Sequence, residues 1–248
     1  MLFRSIGGAD DVAPSLFVRV NPLDTQMTAD DLAAVVQPGL AGILLPKSNG
    51  GRDLATLATM LDRSEADAGM APSTVKIMVV ATETPAAMFN LGSYAPAHPR
   101  LAALTWGAED LAAAIGASDN KEADGNWTFP YQVARAQCLF AAAAAETAPI
   151  DTLYADFRDI EGLAADCRRA SRDGFVGRIA IHPDQVPTIN AAFQPSVEKV
   201  EAARRVVAAF AAQPDAGTVG IDGRMLDIPH LKAARKILAA AEAEELTP

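Results

Sequence analysis

An α/β chain built on a mostly parallel sheet is the fold class this sequence predicts, and three observations predict it. Strand-like and helix-like segments alternate six times between residues 15 and 181. Residues 42–47 (GILLPK) are apolar without alternation, the pattern of a strand buried on both faces. Each strand-like run is followed by a segment long enough to cross back over the sheet as a helix, which favours right-handed crossovers over hairpins.

Taken in order, residues 15–21 (SLFVRVN) read as a strand that Pro22 stops. Thr28 is placed to cap a helix running to about Gln37, with Asp30 and Asp31 in its first turn and Pro38-Gly39 behind it. Residues 42–47 form the second strand. The helix from about Arg52 to Arg63 puts Leu54, Leu57 and Leu61 on one face, and residues 64–75 are a polar connection. Residues 75–81 and 101–106 are the third and fourth strands, each followed by a helix opening. Residues 117–128 are a loop of turn formers, and Pro130 suits the first turn of an Ala-rich helix ending near Ala148. Residues 151–157 read as the fifth strand. The helix at 160–173 ends on Gly174, and the sixth strand at 176–181 is closed by His182-Pro183.

Past residue 184 the character changes. Residues 196–213 read as a helix capped by Ser196, with Val197, Val200, Val207 and Phe210 on one face. Residues 217–227 read as a hairpin, because Asp222-Gly223 favours the type I′ turn that matches strand twist. A last helix starts at Pro229 and runs into an acidic tail. The expected division is a core at 1–195 and a helix–hairpin–helix extension at 196–248, serving as a lid or a subunit contact.

Composition excludes several classes. A formal net charge of −10 argues against nucleic-acid binding, which needs a concentrated basic surface. No apolar run approaches the ~18 residues of a membrane span, and the first residues lack the apolar core of a secretion signal, so a cytoplasmic protein without membrane contact is expected. The two cysteines, Cys138 and Cys167, lie outside any zinc-ligand spacing and read as buried thiols. Glycine-rich phosphate loops, the nucleophile elbow and the HExxH helix are all absent.

Carboxylates at strand ends carry the chemistry. Glu83 follows the third strand and Asp110 the fourth, so a parallel sheet can bring both to one rim. A hard cation such as Mg²⁺ takes one or two protein carboxylates plus water and substrate. Each acid also suits the start of the helix that follows it. Arg19 lies in an otherwise apolar strand, where it either pairs with an acid in the core or waits at the rim for an anion. Lys47 has the same two readings. Asp156, Asp159 and Glu161 read as helix-capping acids, His182 as a strand-end histidine, and Asp227 as a cap residue before Pro229.

Six segments occur in order: residues 18–25 (VRVNPLDT), 42–47 (GILLPK), Glu83-Thr84, 106–111 (WGAEDL), 181–185 (IHPDQ) and 223–229 (GRMLDIP). With them the chain resembles the HpcH/HpaI aldolase/citrate lyase superfamily, in the group similar to the citrate lyase β-subunit and malyl-CoA lyase. The resemblance implies a TIM-type (β/α)8 barrel and a homotrimer or hexamer. It also implies Mg²⁺-dependent lyase chemistry between a 2-oxo acid and an acyl thioester of coenzyme A. By motif position, Glu83 and Asp110 are the implied metal ligands. Arg19 is implied as substrate-binding and catalytic, Asp227 as the catalytic acid of the hairpin, and Lys47, Gly107 and Ala108 as substrate-binding. Relatives carry two further strands before the one that holds Arg19, the second ending in Asp-Leu-Glu-Asp. Neither stands upstream of Arg19 here, so a barrel lacking its first two strands is expected. Thioester hydrolysis of the malyl-CoA type and a non-catalytic, truncated CoA-binding paralogue are the alternatives.

Overall fold

A computed structural model describes residues 2–3, 14–214 and 216–245. The chain divides into two compact units, the first holding residues 14–192 and the second residues 193–245. The first unit is built on a seven-stranded sheet whose spatial order is its sequence order. Its strands are β1 (Leu2–Phe3), β2 (Ser15–Arg19), β3 (Leu40–Leu45), β4 (Lys76–Val80), β5 (Leu101–Thr105), β6 (Ala148–Asp151) and β7 (Gly177–Arg178). β1 is antiparallel to β2, a pairing the sequence did not announce, and the six strands from β2 to β7 are parallel. The connecting helices are α1 (Thr28–Val35), α2 (Gly51–Asp67), α3 (Pro85–Met88), α4 (Glu109–Ile115), α5 (Phe129–Ala144), α6 (Ile160–Asp173) and α7 (Gln185–Phe193). Among the described residues β7 pairs only with β6.

Register decides which residues share a face. Leu44 lies beside Met78 and Met78 beside Ala103, and these three join Val80 and Ile179 in one core cluster packed by Phe17, Ile150 and Leu153. The alternate residues Ile43, Leu45, Ile77, Val79 and Leu104 are also fully buried, as are Leu57 and Leu61 of α2. Burial on both faces explains why these strands carry unbroken apolar runs.

Several boundaries differ from the sequence reading. The fifth parallel strand lies at Ala148–Asp151, not 151–157. The preceding helix ends early because Glu146 takes a left-handed conformation and the Thr147 amide bonds back to Ala142, a stop usually made by glycine. Pro149 inside the strand hid it from a propensity reading. β7 is cut to two residues because the Ile181 and His182 amides donate to the Gln185 side chain instead of a ladder. Thr28 does not cap α1: its hydroxyl donates to the Asn21 and Pro22 carbonyls, and Met27 precedes the helix without a side-chain cap.

The last difference is that α2 continues through residues 64–67, because Glu65 is a core residue. It accepts both guanidinium nitrogens of Arg100, at 2.8 and 2.7 Å, and the amides of Ser73 and Val75 at 2.9 and 2.7 Å. Arg100 also reaches the Val75 carbonyl and Asp62. One ion pair thereby ties a helix end, the turn after it and the start of β5.

The second unit contains α8 (Val197–Ala211), β8 (Thr218–Ile221), β9 (Arg224–Asp227) and α9 (Ile228–Glu245). Ser196 caps α8 by accepting the Lys199 amide. The hairpin turns on Asp222 and Gly223, both at positive φ (50° and 75°), as a type I′ turn requires. Phe210, Val219 and Leu231 form the small core, with Val206, Val207, Ile221 and Leu226 packed on it. Among the described residues no helix is long and apolar enough to cross a membrane.

Burial pulls the Glu65 carboxyl upward, but Arg100 and the two amides outweigh it and hold it below the usual glutamate range. A carboxyl depressed in the fold stabilises above its unfolded pKa, and that contribution is lost as pH falls through the folded value. Arg100→Met therefore costs about 3–5 kcal/mol in urea unfolding at neutral pH, since it leaves Glu65 buried without its cation. The variant also loses less stability than the parent on acidification.

Candidate active site

Parallel register brings the ends of β3, β4 and β5 out together. Leu45 lies opposite Val79 and Val80 opposite Thr105, so Lys47, Glu83 and Gly107 follow within three residues of those ends. The Lys47 amide donates to Glu83 Oε2 at 2.5 Å. Its ammonium stands 3.1 Å from Asp110 Oδ1. Lys47 holds φ at +52°, the left-handed region that L side chains rarely adopt.

Gly107 makes room for Glu83. A Cβ there would lie 2.8 Å from Glu83 Cγ and 3.3 Å from Val80 Cγ1. The Gly107 amide itself is taken by the Thr82 hydroxyl at 3.1 Å. Thr84, not Glu83, caps α3 by accepting the Ala87 amide. The Glu83 carboxylate instead turns back to β3. Asp110 stands in the first turn of α4, where the helix dipole favours an acid, and Ala108, buried, precedes that helix.

The electrostatics are unequal. Glu83 is 7% exposed. Burial raises its carboxyl, the Lys47 amide opposes that, the Asp110 charge raises it further and Arg19 lowers it, with a net shift upward. Arg19 ends β2, exposed, in register with Leu44 and therefore on the face of the Leu44–Met78–Ala103 cluster. Among the described residues no side chain forms an ion pair or hydrogen bond with Arg19. Arg19, Lys47, Glu83 and Asp110 thus converge at one rim.

Asp227 belongs to the second unit. It is exposed, and its carboxylate bonds the His230 ring, which holds it below the usual aspartate range. In the sequence His230 shows no supporting pattern for a site role, although its spacing three residues beyond Asp227 across a helix start was a usable signal. His182 stacks on Phe157 at 4.7 Å and approaches Asp184 at 3.5 Å. Asp159 caps α6 through the Gly162 amide. Asp151 also went unread as a buried acid: it accepts the Trp106 indole N–H and both Arg135 and Arg178.

Among the described residues no third His, Cys, Asp or Glu joins Glu83 and Asp110 in a ligand cluster. Two oxygen donors, one buried and one open to solvent, do not make a zinc site. They fit Mg²⁺, which keeps several waters and takes the remaining oxygens from substrate. The position already held by the Lys47 ammonium is one where a cation is stabilised.

An in-order parallel α/β sheet with a carboxylate pair, an arginine and a lysine at its carboxyl rim defines a class of α/β protein with its site at the strand ends. The model of the HpcH/HpaI aldolase/citrate lyase family matches residues 4–183, and the chain belongs to that family. A (3S)-malyl-CoA thioesterase of Cereibacter sphaeroides is 35% identical over 91% of this chain and 74% of its own. An L-malyl-CoA/beta-methylmalyl-CoA lyase of the same species is 31% identical over 92% of this chain and 76% of its own. The solved CitE protein of Mycobacterium tuberculosis, in complex with magnesium, acetoacetate and coenzyme A, superposes with a TM-score of 0.68. It is 32% identical, covering 91% of this chain and 78% of that one.

Gly107→Ala forces Glu83 out of its seat against Val80. The expected cost is about 1–3 kcal/mol of stability, the usual penalty for overpacking, measured by urea unfolding beside Gly92→Ala as a control at a glycine with open space and no left-handed backbone.

Proposed function

We propose that this chain is a Mg²⁺-dependent carbon–carbon lyase that forms or cleaves a short β-hydroxyacyl-CoA of the malyl-CoA or citryl-CoA type, to a 2-oxo acid and an acyl-CoA. The observation that carries this is the buried Glu83 carboxylate facing Asp110, with Arg19 and Lys47 beside them. Glu83 and Asp110 hold the metal, which when bound polarises the oxo-acid carbonyl as a Lewis acid. Arg19 offers guanidinium donors to the oxygen on which negative charge develops as the carbon–carbon bond breaks and its electron pair becomes a thioester enolate. Lys47, Gly107 and Ala108 line the substrate side of the same rim. Asp227 moves the proton at the enolate carbon, delivered by the C-terminal extension as a lid or from a neighbouring subunit of a trimer or hexamer. The parallel sheet is taken as six strands of a TIM-type barrel, a reading supported by the superposition on the CitE protein.

Thioester hydrolysis is the second reading, favoured by the 35% identity to a malyl-CoA thioesterase. Here the same charged rim directs water at the thioester carbon, coenzyme A leaves as thiol, and the acid's carbon skeleton stays whole.

Malyl-CoA, methylmalyl-CoA and citryl-CoA are offered to the protein with and without Mg²⁺, and products are identified by mass. Cleaved carbon chains support the lyase, and free coenzyme A with the intact hydroxy acid supports hydrolysis. Glu83→Gln and Asp110→Asn each lower turnover by about 100-fold or more, since even residues behind a metal's ligands are worth 10–100-fold. Turnover that persists in both variants, or without any divalent ion, would sink the metal reading.

A further inference from the structure

Lys47 touches both carboxylates of the pair through two different parts of itself. Its peptide N–H holds Glu83 at 2.5 Å, and its ammonium holds Asp110 at 3.1 Å. The backbone contact depends on a left-handed residue, φ +52°, and is built into the chain. The side-chain contact is different: Lys47 and Asp110 are 41% and 42% exposed, on a flexible four-carbon stem that water already reaches.

A divalent ion on Asp110 would sit about 2.1 Å from a carboxylate oxygen. An ammonium on that same carboxylate would then face a dication at roughly van der Waals range, with repulsion only partly screened. The two cations therefore compete for Asp110, whereas the peptide N–H on Glu83 has no reason to move.

We infer that Lys47 is a displaceable internal counter-ion of the metal pair, one whose ammonium leaves Asp110 when a divalent cation binds and so sets how tightly the site takes metal. The inference rests on the metal reading above and extends it to a residue outside the ligand set. It accounts for two features together. The strained backbone fixes the spacing of Glu83 to β3, and the long cationic side chain keeps two neighbouring acids from repelling each other when no metal is bound.

Titration of the purified protein with MnCl₂, followed by electron paramagnetic resonance of free Mn²⁺, reads the affinity without any substrate. Lys47→Met keeps the peptide N–H and removes the charge, and it should bind Mn²⁺ about fivefold tighter, the upper range for a half-exposed ion pair. Lys47→Arg keeps the charge and should match the parent. Lys47→Gly, which suits the left-handed backbone, should bind tighter as well and serves if the methionine variant folds poorly. A second readout is the melting-temperature rise at fixed MnCl₂, which should be larger in Lys47→Met than in the parent because bound ligand stabilises as its affinity grows. Unchanged or weaker Mn²⁺ binding in both Lys47→Met and Lys47→Gly overturns the inference while leaving the metal site standing. No Mn²⁺ binding by the parent, with Glu83→Gln indistinguishable from it, overturns the metal reading and this inference together.

Discussion

The Lys47 amide on the Glu83 carboxylate is the contact around which the three central strands are set. A carboxylate that is 7% exposed needs a donor within reach, and here the donor is a peptide group of the neighbouring strand's exit. That demand reaches backward into the sheet. A one-residue slip between β3 and β4 would move the Lys47 amide out of line and turn the Leu44 and Met78 side chains to the wrong face. It also reaches sideways, because β5 must exit on a glycine for Glu83 to fit against Val80. A left-handed lysine costs of order 1–3 kcal/mol, and the apolar burial of β3, β4 and β5 supports that local cost.

Three buried or half-buried acid clusters in the first unit show how a site differs from a structural network. Glu65 meets a two-pronged guanidinium and two amides, so every lone pair has a donor. Asp151 meets the Trp106 indole and two arginines and is equally satisfied. Glu83 meets one amide, and no cation pairs with it directly: Lys47 pairs with Asp110, and Arg19, whose charge acts on Glu83, forms no ion pair among the described residues. Satisfied charges rigidify a fold. A buried acid beside a second acid, with too few donors, stays attractive to a cation that arrives from solution.

Most of the sheet was legible because its strands are apolar on both faces and its helices carry their caps in sequence, Ser196, Asp159 and Gly174 among them. The misplaced strand at Ala148–Asp151 shows where such reading fails. Its helix stop is a left-handed glutamate and its strand contains a proline, so tertiary pairing with β5 and β7 overrode both local signals. The acids at the rim were legible from their place after apolar runs, and Arg19 from its place inside one. The lysine contact was not, since nothing in Leu-Leu-Pro-Lys announces a positive φ or says which of two acids an ammonium will choose. Residues joined only by folding, such as Arg100 with Glu65 or Asp151 with Arg178, carried no signal in sequence spacing.

Basicity sets a condition on the proton-transfer role given to Asp227. Its bond to His230 lowers its pKa, and a carboxylate so stabilised is a poor base toward a carbon acid. Removing a proton beside a thioester calls for the opposite environment, dry and without a competing donor. The role proposed for Asp227 therefore calls for a state with the His230 contact broken, or with the imidazole passing its proton onward. Hydrolysis makes a lighter demand, because orienting a water needs an acceptor but not a strong base. The two proposed chemistries thus differ in what they ask of the Asp227–His230 contact, since both are proposed to use Glu83 and Asp110 in the same way.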